Sequence, residues 1–286
     1  LIWGFLPIYW KTLKQVPPLE ILNNRVVWSL VFLGILITAR KNWLPLRQAI
    51  TRPRVVLVYG MAACLLAVNW LTYIWGVNAG FIVETSLGYF INPLVNVLLG
   101  VLFLREKLRP LQWLPIGMAA AGVLYLTFSV GNLPWIALVL AFTFGFYGLV
   151  KKTAPLGSQH SLTLETGILF IPSLAYLAFI SLQGSGGYAQ YDAKTNLLLV
   201  FTGVVTAVPL LLFGTAARSI PLSALGLLQY IAPTCQFLIG VLIYDEPFTK
   251  YSLIGFSIIW TALALYWLEG FLAHRQARRL PAGPIP

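Results

Sequence analysis

Charge is what this sequence has least of. Only 9% of its 286 residues are Asp, Glu, Lys or Arg, where a soluble domain carries about 25%. There are two cysteines, Cys64 and Cys235. Both fall inside apolar runs, which argues against a disulfide framework and leaves them as packing residues. The two histidines, His160 and His274, stand alone in loops. No Cys/His cluster is spaced to hold a metal. HExxH, paired Asp and Ser-with-base arrangements are all missing, so an intramembrane enzyme would lack its catalytic set. No Gly-rich phosphate loop is visible, and no cofactor is expected. Acids are scarcer than bases, 8 against 19, for a net charge of +11. Nucleic-acid binding would need those bases clustered with exposed aromatics on a soluble surface. Here they lie between apolar runs, where topology signals lie.

What the chain does have is apolar length. Hydrophobic residues make up 59% and aromatic residues 14%. A membrane span needs about 20 mostly apolar residues. Counting on that basis predicts an all-α membrane protein of ten transmembrane helices. The expected spans are 1–10, 19–39, 55–77, 81–104, 111–130, 133–150, 161–182, 196–216, 222–244 and 251–272. Two of them meet at Gly80 with almost no loop. The first, LIWGFLPIYW, has no basic stretch ahead of it. It reads as a truncated helix and not a signal peptide, with a short cytoplasmic start expected before it.

Loop charges test the count. One alternate set of loops holds Arg40, Lys41, Arg47, Arg52, Arg54, Arg105, Lys107, Arg109, Lys151, Lys152, Arg218, Arg275, Arg278 and Arg279 against the single acid Glu106. The other set holds Lys11, Lys14, Lys194 and Lys250 against Glu20, Glu84, Asp192, Asp245 and Glu246. The positive-inside rule puts the first set and both termini in the cytoplasm.

The fourth span, SLGYFINPLVNVLLGVLFL, carries a polar stripe. Tyr89, Asn92 and Asn96 fall at i, i+3 and i+7, on one helical face, with Thr85 and Gly100 continuing it. In lipid such a face turns toward a partner helix or a cavity. Pro93 frees a backbone carbonyl in the same stretch. A weaker copy, LQYIAPTCQFLIGVLIYDE, follows about 140 residues later. It aligns Tyr89 with Gln229, Pro93 with Pro233, Asn96 with Gln236, Gly100 with Gly240 and Glu106 with Glu246. WGFLPIYWK near the start likewise matches FGFYGLVKK from Phe144. Each copy spans the membrane an odd number of times, so the second is inverted. The expected division is residues 1–130 and 131–286, two inverted five-helix repeats, the second with a basic cytoplasmic tail. Inverted repeats with a site at their interface mark many secondary transporters.

NWLTYIWGV, SLGYFINPLVNVLLGVLFL with Glu106, LRPLQW, EILNNRVVWS and VVTAVPLLLF resemble the RarD proteins of the EamA-type drug/metabolite transporter superfamily. The resemblance covers essentially the whole chain. It implies ten helices in a five-plus-five inverted repeat, a bacterial inner-membrane location and a permease role. The family is labelled chloramphenicol-sensitive, and the resemblance transfers no substrate-binding residues.

The residues themselves nominate a site. Candidate solute contacts are Asn69, Trp70 and Tyr73 in the third span, Tyr89, Asn92 and Asn96 in the fourth, and Gln229 and Gln236 in the ninth. Aromatic faces with a few polar groups would suit an amphipathic organic molecule. Simple inter-helix hydrogen bonding is the plainer alternative, worth about 0.6 kcal/mol per contact. No deep carboxylate offers strong proton coupling. Pro172 and Pro209 mark hinge positions.

Three charges fall within spans: Arg25, Glu165 and Glu269. Arg25 lies roughly 9 Å into the second span at 1.5 Å per residue. A pair of alternating latches is expected, Arg25–Glu84 at the outer mouth and Glu165–Arg218 at the inner one. Snorkelling of Arg25 and local solvation of Glu165 are the alternative. The reading is a carrier moving a small organic solute or metabolite by alternating access. The alternative is an intramembrane enzyme or lipid-handling protein. The expected partners are a small organic solute and the lipid bilayer, with a homodimer compatible and no nucleic acid.

Overall fold

The computed structural model describes residues 2–79, 82–130, 135–243 and 250–279. The Gly80 break, Asp245, Glu246 and the side chains of Glu84, His274, Arg278 and Arg279 lie outside the described residues. Among the described residues the chain is helical with no strand. Backbone polar groups in lipid find no water, so a spanning segment must satisfy them internally, as a helix does.

Twelve α-helices follow in order among the described residues. They are α1 (Ile2–Lys11), α2 (Pro18–Ala39), α3 (Leu44–Ile50), α4 (Pro53–Asn78), α5 (Ile82–Leu104) and α6 (Trp113–Val130). The others are α7 (Trp135–Thr153), α8 (Ser158–Leu182), α9 (Ala193–Ser219), α10 (Leu222–Gln229), α11 (Ile231–Ile243) and α12 (Lys250–Arg279). Eight of these, α2, α4 to α9 and α12, are long and apolar enough to cross a membrane. With large side chains such as Leu182 (89% exposed) and Phe128 (78%) on the outside of the bundle, the chain is a multi-pass membrane protein. Lipid tails are as apolar as leucine and accept such a surface.

Two expected elements differ from the structure. The ninth span, 222–244, is not one helix: it breaks at Tyr230 into α10 and α11. Pro233 has no N–H, so the carbonyl of Gln229 loses its helical donor, and the break falls beside that orphaned group. The loop 40–54 holds the short helix α3, which starts at Leu44 after the exposed Trp43 and carries Pro45 in its first turn.

Helix starts are set by local chemistry. Asp192 caps α9, accepting the Thr195 N–H at 3.1 Å. That hydrogen bonding from Thr195 holds the Asp192 carboxyl below the usual carboxylate range. Glu106 caps α10 from a distant segment. Its carboxylate accepts the N–H groups of Leu222 and Ser223 at 2.6 and 3.0 Å and the Ser223 hydroxyl at 2.6 Å. A negative group at a helix N-terminus satisfies its free donors and its dipole. Gly226 then lets α10 lie against α5, since a Cβ there would sit 2.6 Å from the Pro93 carbonyl oxygen. The core gathers where α2, α4, α5, α7, α9 and α10 meet, with a second apolar cluster joining α5 and α6 to α12.

Candidate functional site

Helices from both halves of the chain line a cavity of about 80 Å³. A single water requires roughly 10–15 Å³. Of the residues singled out in the sequence, Asn69, Trp70, Tyr73, Tyr89, Asn92, Gln229 and Gln236 all line it. Residues of α4, α5, α10 and α11 thus come together here, and α1, α2, α7 and α9 complete the wall.

Pro93 sits in the middle of α5, so the carbonyl of Tyr89 loses its helical donor beside the cavity. Tyr73 and Tyr89 meet edge to face with ring centroids 5.5 Å apart. The amides behave less uniformly than the stripe suggests. Asn69 donates from Nδ2 to the Leu140 carbonyl at 2.9 Å and to Thr143 Oγ1 at 3.0 Å, which ties α4 to α7. Asn92 is engaged at both ends. Its Nδ2 donates to the Ala141 carbonyl at 3.0 Å and its Oδ1 accepts from Asn96 at 3.0 Å.

Asn96 does not line the cavity. It is fully buried below it, donating to Asn92 Oδ1 and to Gln229 Oε1, while its own Oδ1 has no partner among the described residues. One helical turn separates it from Asn92, and α10 closes over that turn. Gln236 donates to the Trp3 carbonyl at 2.9 Å and so anchors α1 against α11.

Of the four residues expected to gate, the side chains of Arg25, Glu165 and Arg218 are described. Arg25 turns into the cavity, 8% exposed. Its Nε donates to Thr206 Oγ1 at 2.9 Å. The guanidinium carbon lies 4.8 Å from the Trp10 ring centroid and 4.4 Å from that of Trp70. Such a stack is worth about 2 kcal/mol when desolvated. The side chain of Glu84, the expected partner, lies outside the described residues.

The expected Glu165–Arg218 pair is replaced by another. Glu165, 0% exposed, accepts from Lys151 Nζ at 2.6 Å and from the Tyr147 hydroxyl at 3.1 Å. Lys151 Nζ also donates to Ser161 Oγ at 2.7 Å. Lys151 stands near the end of α7 and reaches Glu165 directly across the hairpin into α8. Arg218 points elsewhere: its Nη1 donates to the carbonyls of Ala154 and Leu156 at 2.7 and 3.0 Å. Lys151, a loop charge by sequence, is therefore a buried ion-pair member.

Glu20, taken as a loop acid, is buried as well. It accepts the Gly187 N–H and the Tyr191 hydroxyl, both at 2.8 Å. Nearby, Tyr188 donates to Asn24 and receives the Trp28 indole N–H at 2.6 Å. These bonds fold the segment between α8 and α9 over the start of α2. Burial, then the Glu20 carboxylate, raises the Tyr191 hydroxyl above its ordinary range.

Among the described residues no group of three or more His, Cys, Asp or Glu comes together to hold a metal ion. What the wall offers is one cation, several aromatic faces and neutral hydrogen-bonding groups.

Known proteins are similar to this chain. The EamA-like transporter family matches residues 1–128 and again 134–268. Protein RarD of Streptomyces exfoliatus is 44% identical over 277 residues, covering 97% of this chain and 88% of its own. Protein RarD of Escherichia coli (strain K12) is 41% identical over 278 residues, covering 97% and 94%. Uncharacterized transporter YojE of Bacillus subtilis (strain 168) is 46% identical over 270 residues, covering 93% and 90%. A crystal structure of a protein at 19% identity superposes with a TM-score of 0.70 over 94% of each chain. At that identity the likeness speaks for the fold alone. The twofold match of the family to this chain, with relatives above 40% identity over nearly its full length, places it: it belongs to the EamA-like transporter family, as a RarD-type membrane transporter.

Proposed function

We propose that the chain is a carrier of the bacterial inner membrane that moves a small organic solute by alternating access. The observation that carries this reading is the cavity, walled by helices from both halves of the chain and lined with aromatic and amide groups. A structural protein facing lipid has no use for such a space. Ten spans follow if α1 and the broken pair α10–α11 are each counted with the eight long helices. The two family matches, 1–128 and 134–268, support two repeats at 1–130 and 131–286. An odd number of spans in each makes them inverted. The solute contacts are Trp70, Tyr73, Tyr89 and Gln229, with Asn69 and Asn92 holding the wall in shape and Asn96 bracing it from below.

The test is flux into proteoliposomes of a labelled pool of small metabolites. Flux above that of protein-free vesicles is expected. Tyr89→Phe and Gln229→Leu should each lower it about threefold to tenfold, the worth of one solute hydrogen bond. Flux no higher than in empty vesicles across the pool would sink the carrier reading.

The cytoplasm lies at the end of the bundle where Glu106, Lys152 and Arg218 gather, by the distribution of basic residues. In a background with Cys64→Ala and Cys235→Ala, single cysteines at Gln48 and Ala189, both exposed, report the orientation. An impermeant thiol reagent on whole cells should label position 189 and spare position 48. The reverse pattern would overturn the orientation.

A further inference from the structure

We infer that the cavity selects a small organic carboxylate with a flat, unsaturated body, and that Arg25 takes the carboxylate. This rests on the carrier reading above and names its substrate class.

Arg25 is the one charged residue among the described lining residues. It is more than nine-tenths buried and forms no ion pair with any described acid. The buried pair Lys151–Glu165 compensates itself and brings no acid to Arg25. An ionised group inside a membrane protein without a counter-charge is expensive, and such groups mark ligand pathways. Stability alone does not account for it, since even a paired buried charge gains little over apolar packing.

The way Arg25 is held says what it can bind. Thr206 occupies Nε, and Trp10 and Trp70 lie over the guanidinium. The Nη donors have no protein acceptor among the described residues. Free in-plane donors on a stacked guanidinium are the fork that meets a carboxylate with two parallel hydrogen bonds. The charge balance selects further. One cation and no acid in the described wall neutralise a monoanion, whereas a phosphate ester would bring a second, uncompensated negative charge into a low-dielectric site. An organic cation would meet repulsion. Trp3, Tyr73, Tyr89 and Phe144 supply aromatic rings around the rest of the space, which favours an unsaturated body over a sugar.

The experiment uses the full chain in lipid nanodiscs with phenylacetate, phenylacetamide and phenethylamine, similar in size and differing in charge. Dissociation constants come from titration calorimetry. Phenylacetate should bind at least about tenfold more tightly than the amide, and the amine should not bind. Arg25→Gln should remove the difference between acid and amide, and Arg25→Lys should keep part of it. The wild-type comparison stands even if these variants fail to fold. Amide binding as tight as acid binding, and abolished by a bulky maleimide on Gln229→Cys, would overturn the anion preference and leave the carrier reading intact. Absence of binding by all three probes would overturn the aromatic-carboxylate class, with the flux assay deciding separately on transport.

Discussion

Replacing Lys151 by Met should lower the unfolding free energy by about 3–5 kcal/mol, the cost of stranding one charge of a desolvated pair. Glu165 would remain in the core with the Tyr147 hydroxyl as its partner, and one neutral donor does not balance a carboxylate. Lys151 is 2% exposed, so water cannot take its place without opening the α7–α8 hairpin. The double variant Lys151→Met/Glu165→Leu should recover most of the loss, because no charge is left behind. It should fall short of the wild type by about 1 kcal/mol for each hydrogen bond that Tyr147 and Ser161 lose. Equilibrium unfolding in mixed micelles across the four members of this cycle yields the coupling. A Lys151→Met protein as stable as the wild type would mean that the pair is solvated, and that α7 and α8 are held by apolar packing alone.

That pair also shows where sequence reading stops. Long apolar runs locate the spans well: the expected 19–39 and 55–77 correspond to α2 at Pro18–Ala39 and α4 at Pro53–Asn78. A charge at the edge of such a run is ambiguous, since a shift of two or three residues moves it from loop to core. Lys151 and Glu20 both count as loop charges in the sequence for this reason, and both are buried. The cavity residues of α4, α5 and α10–α11 were legible because polar groups are rare in spans and their helical spacing puts them on one face. Arg25 was legible as an anomaly, but its surroundings were not. Trp10, Trp70 and Thr206 come from three other helices, and no local pattern ties them to position 25. The break at Tyr230 was hidden by the same limit. Pro233 signals a weakened helix, yet Pro93 sits inside α5 without ending it, and packing decides which proline breaks and which bends.

Close packing leads to the second large effect. Gly203→Ala should destabilise the protein by about 1–3 kcal/mol, although alanine is the better helix former. Gly203 lies in α9 where it crosses α2. A Cβ there would sit 2.3 Å from the backbone carbon of Trp28 and 2.4 Å from its oxygen. Backbone cannot rotate aside as a side chain end can, so the two helices must separate. Separation strains the Ser29 hydroxyl bond to the Gly203 carbonyl, 3.2 Å long. One turn along each helix it also strains the bond from Arg25 to Thr206. The same substitution at Gly60 of α4, where nothing lies within 4 Å of the added carbon, supplies the control. Gly60→Ala should be neutral or gain up to about 1 kcal/mol from helix propensity. Small residues let membrane helices approach where no hydrophobic force drives them together, so this contact is where a methyl group costs most. Because the strain reaches Arg25, Gly203→Ala should also weaken phenylacetate binding, while Gly60→Ala leaves it unchanged. Thermal unfolding and calorimetry on the same two preparations check both halves. Equal stability of the two variants would show that α2 and α9 do not cross this closely in the folded protein.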